Sequence, residues 1–116
     1  MLPGRSWVRV EWLYEAQGEF RDTLTYYQTR FGTQTARNLA DQVLGAVENL
    51  ERFPQMGVLR EDLRLGQYGF RALFVRHHVC IYRIQGDAAC IYHFADARTN
   101  YIYRFFGLEP EVGTED

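Results

Sequence analysis

The spacing of apolar residues along the chain changes period twice, and each change marks a new kind of element. In Ser6–Trp12, read S-W-V-R-V-E-W, Trp or Val alternates with Arg or Glu. One face is apolar and the other wet, the pattern of a half-buried strand. From Leu13 the period lengthens. Leu13, Ala16, Phe20, Leu24, Tyr27 and Phe31 fall three and four apart, one stripe of an amphipathic helix. Gly32 follows the last stripe residue and ends the helix, and Thr33 stands where it can cap the next one. Ala36, Leu39, Ala40, Val43, Val47 and Leu50 carry the helical period on to Pro54, before which the α region is disfavoured. Two helices of similar length joined by one or two residues pack antiparallel.

Gln55–Gly66 reads as a loop. Beyond it the period is two. In Tyr68–Val75, Phe70, Ala72 and Phe74 share one face while Arg71, Leu73 and Val75 share the other. His78–Ile84 and Ala88–Phe94 are two more β-rich runs, split by Gln-Gly-Asp, a hairpin signal. Three strands with short links form an antiparallel meander. The aromatic run Arg98–Phe106 fits either a short helix or an extended arm. The expected architecture is therefore α+β and two-layered, in the order β-α-α-β-β-β. A helical hairpin packs on an antiparallel sheet, and the first strand joins that sheet through a strand of the meander.

Length and composition narrow this further. A chain of 116 residues predicts one domain, 1–116, with an ordered core of about 6–106 and an acidic tail over 107–116. The 47% apolar and 16% aromatic content exceeds that of disordered chains. The start shows no apolar signal segment, and no run reaches the roughly 20 apolar residues of a membrane span. A cytoplasmic protein without membrane contacts is expected. Cys80 and Cys90 read as reduced core residues, since no CxxC or clustered Cys/His spacing provides a metal site. No cofactor or metal is expected.

The net charge of −2 gives no overall pull toward nucleic acid. Its distribution is uneven. Six arginines lie between Arg64 and Arg104, against Asp87 and Asp96, and Glu109, Glu111, Glu115 and Asp116 follow in the tail. All 13 basic residues are Arg, which suits oxyanion recognition but equally reflects a compositional habit, because the helices share it.

Several strings, in order, resemble the RelE/ParE superfamily of toxins from type II toxin–antitoxin systems. These are Val10-Glu11-Trp12 before Glu15-Ala16, Phe31-Gly32 between the helices, and Phe53-Pro54-Gln55-Met56-Gly57 after them. Arg71 on the first meander strand, Ile81-Tyr82-Arg83-Ile84, and Arg98-Thr99-Asn100-Tyr101 before Phe105-Phe106 complete the set. The resemblance spans roughly Val8 to Phe106. It departs from the pattern at three places. Leu13-Tyr14 replaces a Ser-Pro at the first helix. Asp96 replaces a His two residues before the closing Arg. Val79 stands where ribosome-dependent RelE-type nucleases resemble one another in an arginine.

The resemblance implies a toxin inhibited by a cognate antitoxin, a ParD-like or similar small protein. Three readings follow from it. The ParE-like one inhibits DNA gyrase by binding. The RelE-like one cuts mRNA on the ribosome. The third is a non-toxic module that only pairs with its antitoxin. Cleavage by a 2′-hydroxyl requires a base, a cation for the phosphorane and an acid. Arg71, Arg98 and Tyr101 are the candidates, with His93 behind them. Each also has a structural reading: Arg71 solvates a sheet face, Arg98 binds Asp96, Tyr101 packs, and His93 fills a strand. His77-His78 reads as a solvated turn. Val79 and the near-neutral charge favour the gyrase reading. Phe70, Phe74, Tyr101, Phe105 and Phe106 are the candidate partner-binding residues, an antitoxin segment being expected to lie in a helix–sheet groove or to add a strand to a sheet edge.

Overall fold

A computed structural model describes residues 7–60 and 65–107; the acidic tail from 108 lies outside the described residues. Strand β1 (Arg9–Trp12) leads into helix α1 (Tyr14–Phe31) and helix α2 (Thr33–Glu48). A two-residue strand, β2 (Val58–Leu59), precedes β3 (Arg71–Val75), β4 (His78–Gln85) and β5 (Ala88–Asp96), and a short helix α3 (Tyr101–Phe106) closes the described chain. The fold is the expected α+β hairpin on a sheet.

The sheet runs β1-β5-β4-β3-β2. The three meander strands pair antiparallel, whereas β1 lies parallel to β5, Arg9 opposite Ala88 and Trp12 opposite Ile91. The sheet is thus mixed rather than antiparallel throughout. The reason is topological: the helical hairpin carries the chain from β1 across to β2 at the far edge, so β1 and β5 are not consecutive and no hairpin turn forces them antiparallel. At the other edge β2 pairs only with Ala72 and Arg71, a short strand within the segment expected as loop.

The helix stripes hold with one exception at their tip. Ala16, Leu39, Val43, Val47 and Leu50 are buried against Leu73, Val75, Cys80, Tyr82, Ala89, Ile91 and Phe94. Phe31, last in the α1 stripe, is 54% exposed, because the hairpin tip overhangs the sheet. Thr33 does not cap α2. Gly32, at φ 97°, is the whole link and serves as both the end of α1 and the N-cap of α2. Only a residue without a Cβ holds that backbone without strain.

The outer face of the sheet carries a second, smaller core. Ala72, Val79, Ile81 and Ala95 meet Tyr101 and Ile102 of α3, so the aromatic segment forms a helix that covers the face left free by the hairpin. Between these layers β5 changes side. Ile81 opposes His93 but Tyr82 opposes Ile91, leaving Tyr92 as the extra residue of a bulge. Beyond it Phe94 faces the hairpin, while Ala95 faces α3.

Candidate functional site

Each candidate catalytic residue is held in a different place. Arg71 opposes Tyr82 at the start of β3 and shares the hairpin face with Leu73 and Val75. Its Nη1 donates to the carbonyls of Gly57 at 2.9 Å and Gln55 at 3.2 Å. Arg98 follows β5 at the opposite end of the sheet. Its Nε and Nη2 donate to the two oxygens of Asp96 at 2.9 and 2.7 Å, and its own N–H adds a third bond. Arg71 stands four positions from Val75, the residue level with His78 and Asp96, which is about 13 Å along the strand. Tyr101 is buried on the other sheet face, where its hydroxyl accepts from Arg60 Nη1 at 3.1 Å. The fold therefore does not bring Arg71, Arg98 and Tyr101 to one phosphate.

His93 is placed by the bulge. Its Nδ1 lies 3.0 Å from the carboxylate of Glu19 on α1, and its ring stacks on Phe105 at 4.0 Å. Glu19 also accepts from the Phe94 N–H at 2.9 Å. β1 stops level with Ile91, so the main chain of β5 beyond it has no strand on that side among the described residues. Glu19 satisfies the exposed donor there, a role that alternation in the sequence does not signal.

Of the five candidate partner-binding aromatics, only Phe74 is open, at 47% exposure. Phe70 meets Tyr92 and Phe106, Phe105 meets His93, and Tyr101 is buried, so these four are engaged in docking α3. Phe74 lies where β3 continues past the end of β2, an edge position.

An open groove of about 530 Å3 lies elsewhere, at the β1 side of the hairpin. Trp12, Phe20, Leu24 and Leu44 line it, with Gln17 and Arg21 at the rim. Trp12 and Phe20 stack at 5.0 Å, and Leu44 is half exposed on α2. The α1 stripe pointed to Phe20 and Leu24. Leu44 falls outside the α2 stripe, and an apolar residue off the stripe was the available signal.

The loop Phe53–Gly57 is anchored from below. Tyr82 and Arg71 together bind Pro54, Gln55 and Gly57 main-chain groups, while Phe53 and Met56 stay exposed. His78, expected in a solvated turn, is only 3% exposed. Burial lowers its pKa, Asp96 opposing that effect and Arg98 and His77 adding to it. The period of two did contain this: His78, Cys80 and Tyr82 share the core face of β4. No helix of the described residues is long and apolar enough to cross a membrane, and among them no group of His, Cys, Asp and Glu is placed to hold a metal ion.

No curated protein matches the chain. A solved structure titled "Chromosomal ParDE TA system from P. aeruginosa" contains a chain of the same fold, with a TM-score of 0.67 at 16% identity, over 80% of this chain and 99% of that one. The sequence profile described as "ParE toxin of type II toxin-antitoxin system, parDE" matches residues 10–101, from the middle of β1 to the first residue of α3. The chain belongs to the ParE toxin family.

Proposed function

We propose that this protein is a toxin that inhibits DNA gyrase by binding it, and that a cognate antitoxin neutralises it. The observation that carries this reading is the dispersal of the nuclease candidates. Arg71 is bonded to loop carbonyls, Arg98 to Asp96 and Tyr101 to Arg60, at two ends and on two faces of the sheet. A phosphorane needs a free cation and an acid within hydrogen-bond reach of one another's substrate atoms. A binding toxin needs neither. The Trp12–Phe20–Leu24–Leu44 groove suits an antitoxin helix presenting one apolar face, which folds as it docks. The edge at Phe74 suits an added strand.

Two assays on the purified chain test this together. One follows plasmid supercoiling by gyrase, and the other follows mRNA integrity in a translating extract. Loss of supercoiling with intact mRNA is expected. Cleaved mRNA that is protected when Arg98→Ala replaces the native chain would overturn the reading in favour of a ribosome-dependent nuclease. Neither effect would favour a module that pairs with its antitoxin alone.

A further inference from the structure

Between the C-terminal half of α1 and the end of the sheet formed by β4 and β5 lies a cavity of about 450 Å3, separate from the groove described above. Asp22, Tyr26 and Tyr27 line it from the helix, and His78, Asp96 and Arg98 from the sheet. Its charges can be counted one by one. Burial lowers the pKa of His78, which favours its neutral form. Its ring lies face to face with Phe94 at 5.3 Å and edge-on to Tyr27 at 5.6 Å, and its buried Nδ1 has no hydrogen-bond partner among the described residues. Asp96 and Arg98 form a bidentate pair at 2.7 Å and cancel. Asp22 remains, an exposed carboxylate with no hydrogen-bond or ion-pair partner among the described residues. Among the lining residues, Asp22 is thus the one charge left without an ion-pair partner, and it stands beside aromatic rings.

Those rings already hold a guanidinium. Arg30, one turn on, lies over Tyr26 at 5.7 Å and Phe31 at 6.0 Å. Electron-rich faces and a free carboxylate together select a cation. A planar fork that stacks and bonds a carboxylate with two donors fits better than a compact ammonium. An anion would meet two carboxylates and an arginine that is already paired. We propose that this cavity receives one arginine side chain of a protein partner, its guanidinium bonded to Asp22 and laid against Tyr27.

The probe is N-acetyl-L-arginine methylamide, titrated into the intact chain and followed by the ring resonances of His78 and Tyr27. Its neutral isostere, the citrulline derivative, and inorganic phosphate are titrated in parallel. Saturable shifts with the arginine compound alone are expected. Asp22→Asn, an exposed and unpartnered change that keeps the fold, weakens binding about fivefold, the size of one exposed ion pair. Asp41→Asn on α2 makes the same change in net charge and leaves binding unaltered. Equal shifts with citrulline, shifts with phosphate, no saturation with arginine, or equal loss in both variants would each overturn the assignment.

Discussion

The hydroxyl of Tyr82 donates to the Pro54 carbonyl at 2.7 Å and accepts from the Gly57 N–H at 2.9 Å, tying the centre of the sheet to the loop that leaves α2. Tyr82 is fully buried, and burial raises the pKa of its phenol. Tyr82→Phe keeps the ring and strands the Gly57 donor. A loss of about 1–3 kcal/mol is expected, read as a lower urea midpoint at unchanged slope.

Gly57 is required for the same contact. A Cβ there would stand 2.6 Å from Tyr82 Cε1 and 2.7 Å from its hydroxyl. Gly57→Ala should cost about 1–3 kcal/mol through overpacking. Part of the clash is with the hydroxyl, so Gly57→Ala combined with Tyr82→Phe should cost less than the sum of the single changes. Full additivity in a double-mutant cycle would show that the two residues are not coupled.

Glu19 joins α1 to the open side of β5. Glu19→Ala leaves the Phe94 N–H without its acceptor, and a cost of about 1–3 kcal/mol is expected. Glu19→Gln retains an acceptor oxygen and should recover much of that. The direct readout is amide exchange at Phe94, fast in the alanine variant and slow in the glutamine variant. Equal exchange in both would remove Glu19 from this role.

Acid should weaken the fold in two stages. His78 is held below its ordinary value of 6.5 by burial, so as pH falls through 6.5 the unfolded chain takes up a proton that the native state refuses. Native stability therefore drops from there downward, and the His78→Phe variant should lose that slope. Asp96 acts in the next window. Its carboxyl is held at about 2 by the hydrogen bonds from Arg98, against 3.8 ordinarily, so its contribution is complete above 3.8 and disappears as pH falls toward 2. Arg98→Ala should flatten the lower stage and, because Arg98 also helps to hold the His78 pKa down, narrow the upper one without abolishing it. The melting temperature as a function of pH distinguishes the two.

Leu44 is half exposed in the groove and makes no demand on the core. Leu44→Glu should leave the melting temperature unchanged and weaken antitoxin binding about tenfold or more, since about 1.4 kcal/mol of lost apolar burial suffices for that factor. Unchanged affinity in a titration with the antitoxin would move the interface elsewhere, with Phe74 the next position to alter.

Much of this architecture was legible because it depends on short-range periodicity. The stripes at Ala16, Phe20, Leu24 and at Leu39, Val43, Val47 encode helices that must bury one side. The alternation through Arg71–Val75 and His78–Gln85 encodes strands. Gly32 encodes a reversal between helices that needs no knowledge of the rest of the chain. Even the choice for Arg98 was partly visible, since Asp96 stands two residues away and a guanidinium that near a carboxylate pairs with it.

Three outcomes belong to the tertiary structure alone. The parallel placement of β1 depends on how far the hairpin carries the chain across the sheet. The bulge at Tyr92 exchanges the two faces of β5, sending Phe94 to the core and His93 to α3, and because β5 is apolar on both faces the change of phase leaves no mark in the sequence. The spending of Arg71 and Tyr101 on a loop and on Arg60 depends on partners 14 to 41 residues distant, whose positions are fixed only when the layers pack. Local pattern decides which residues face inward; long-range packing decides whom they meet.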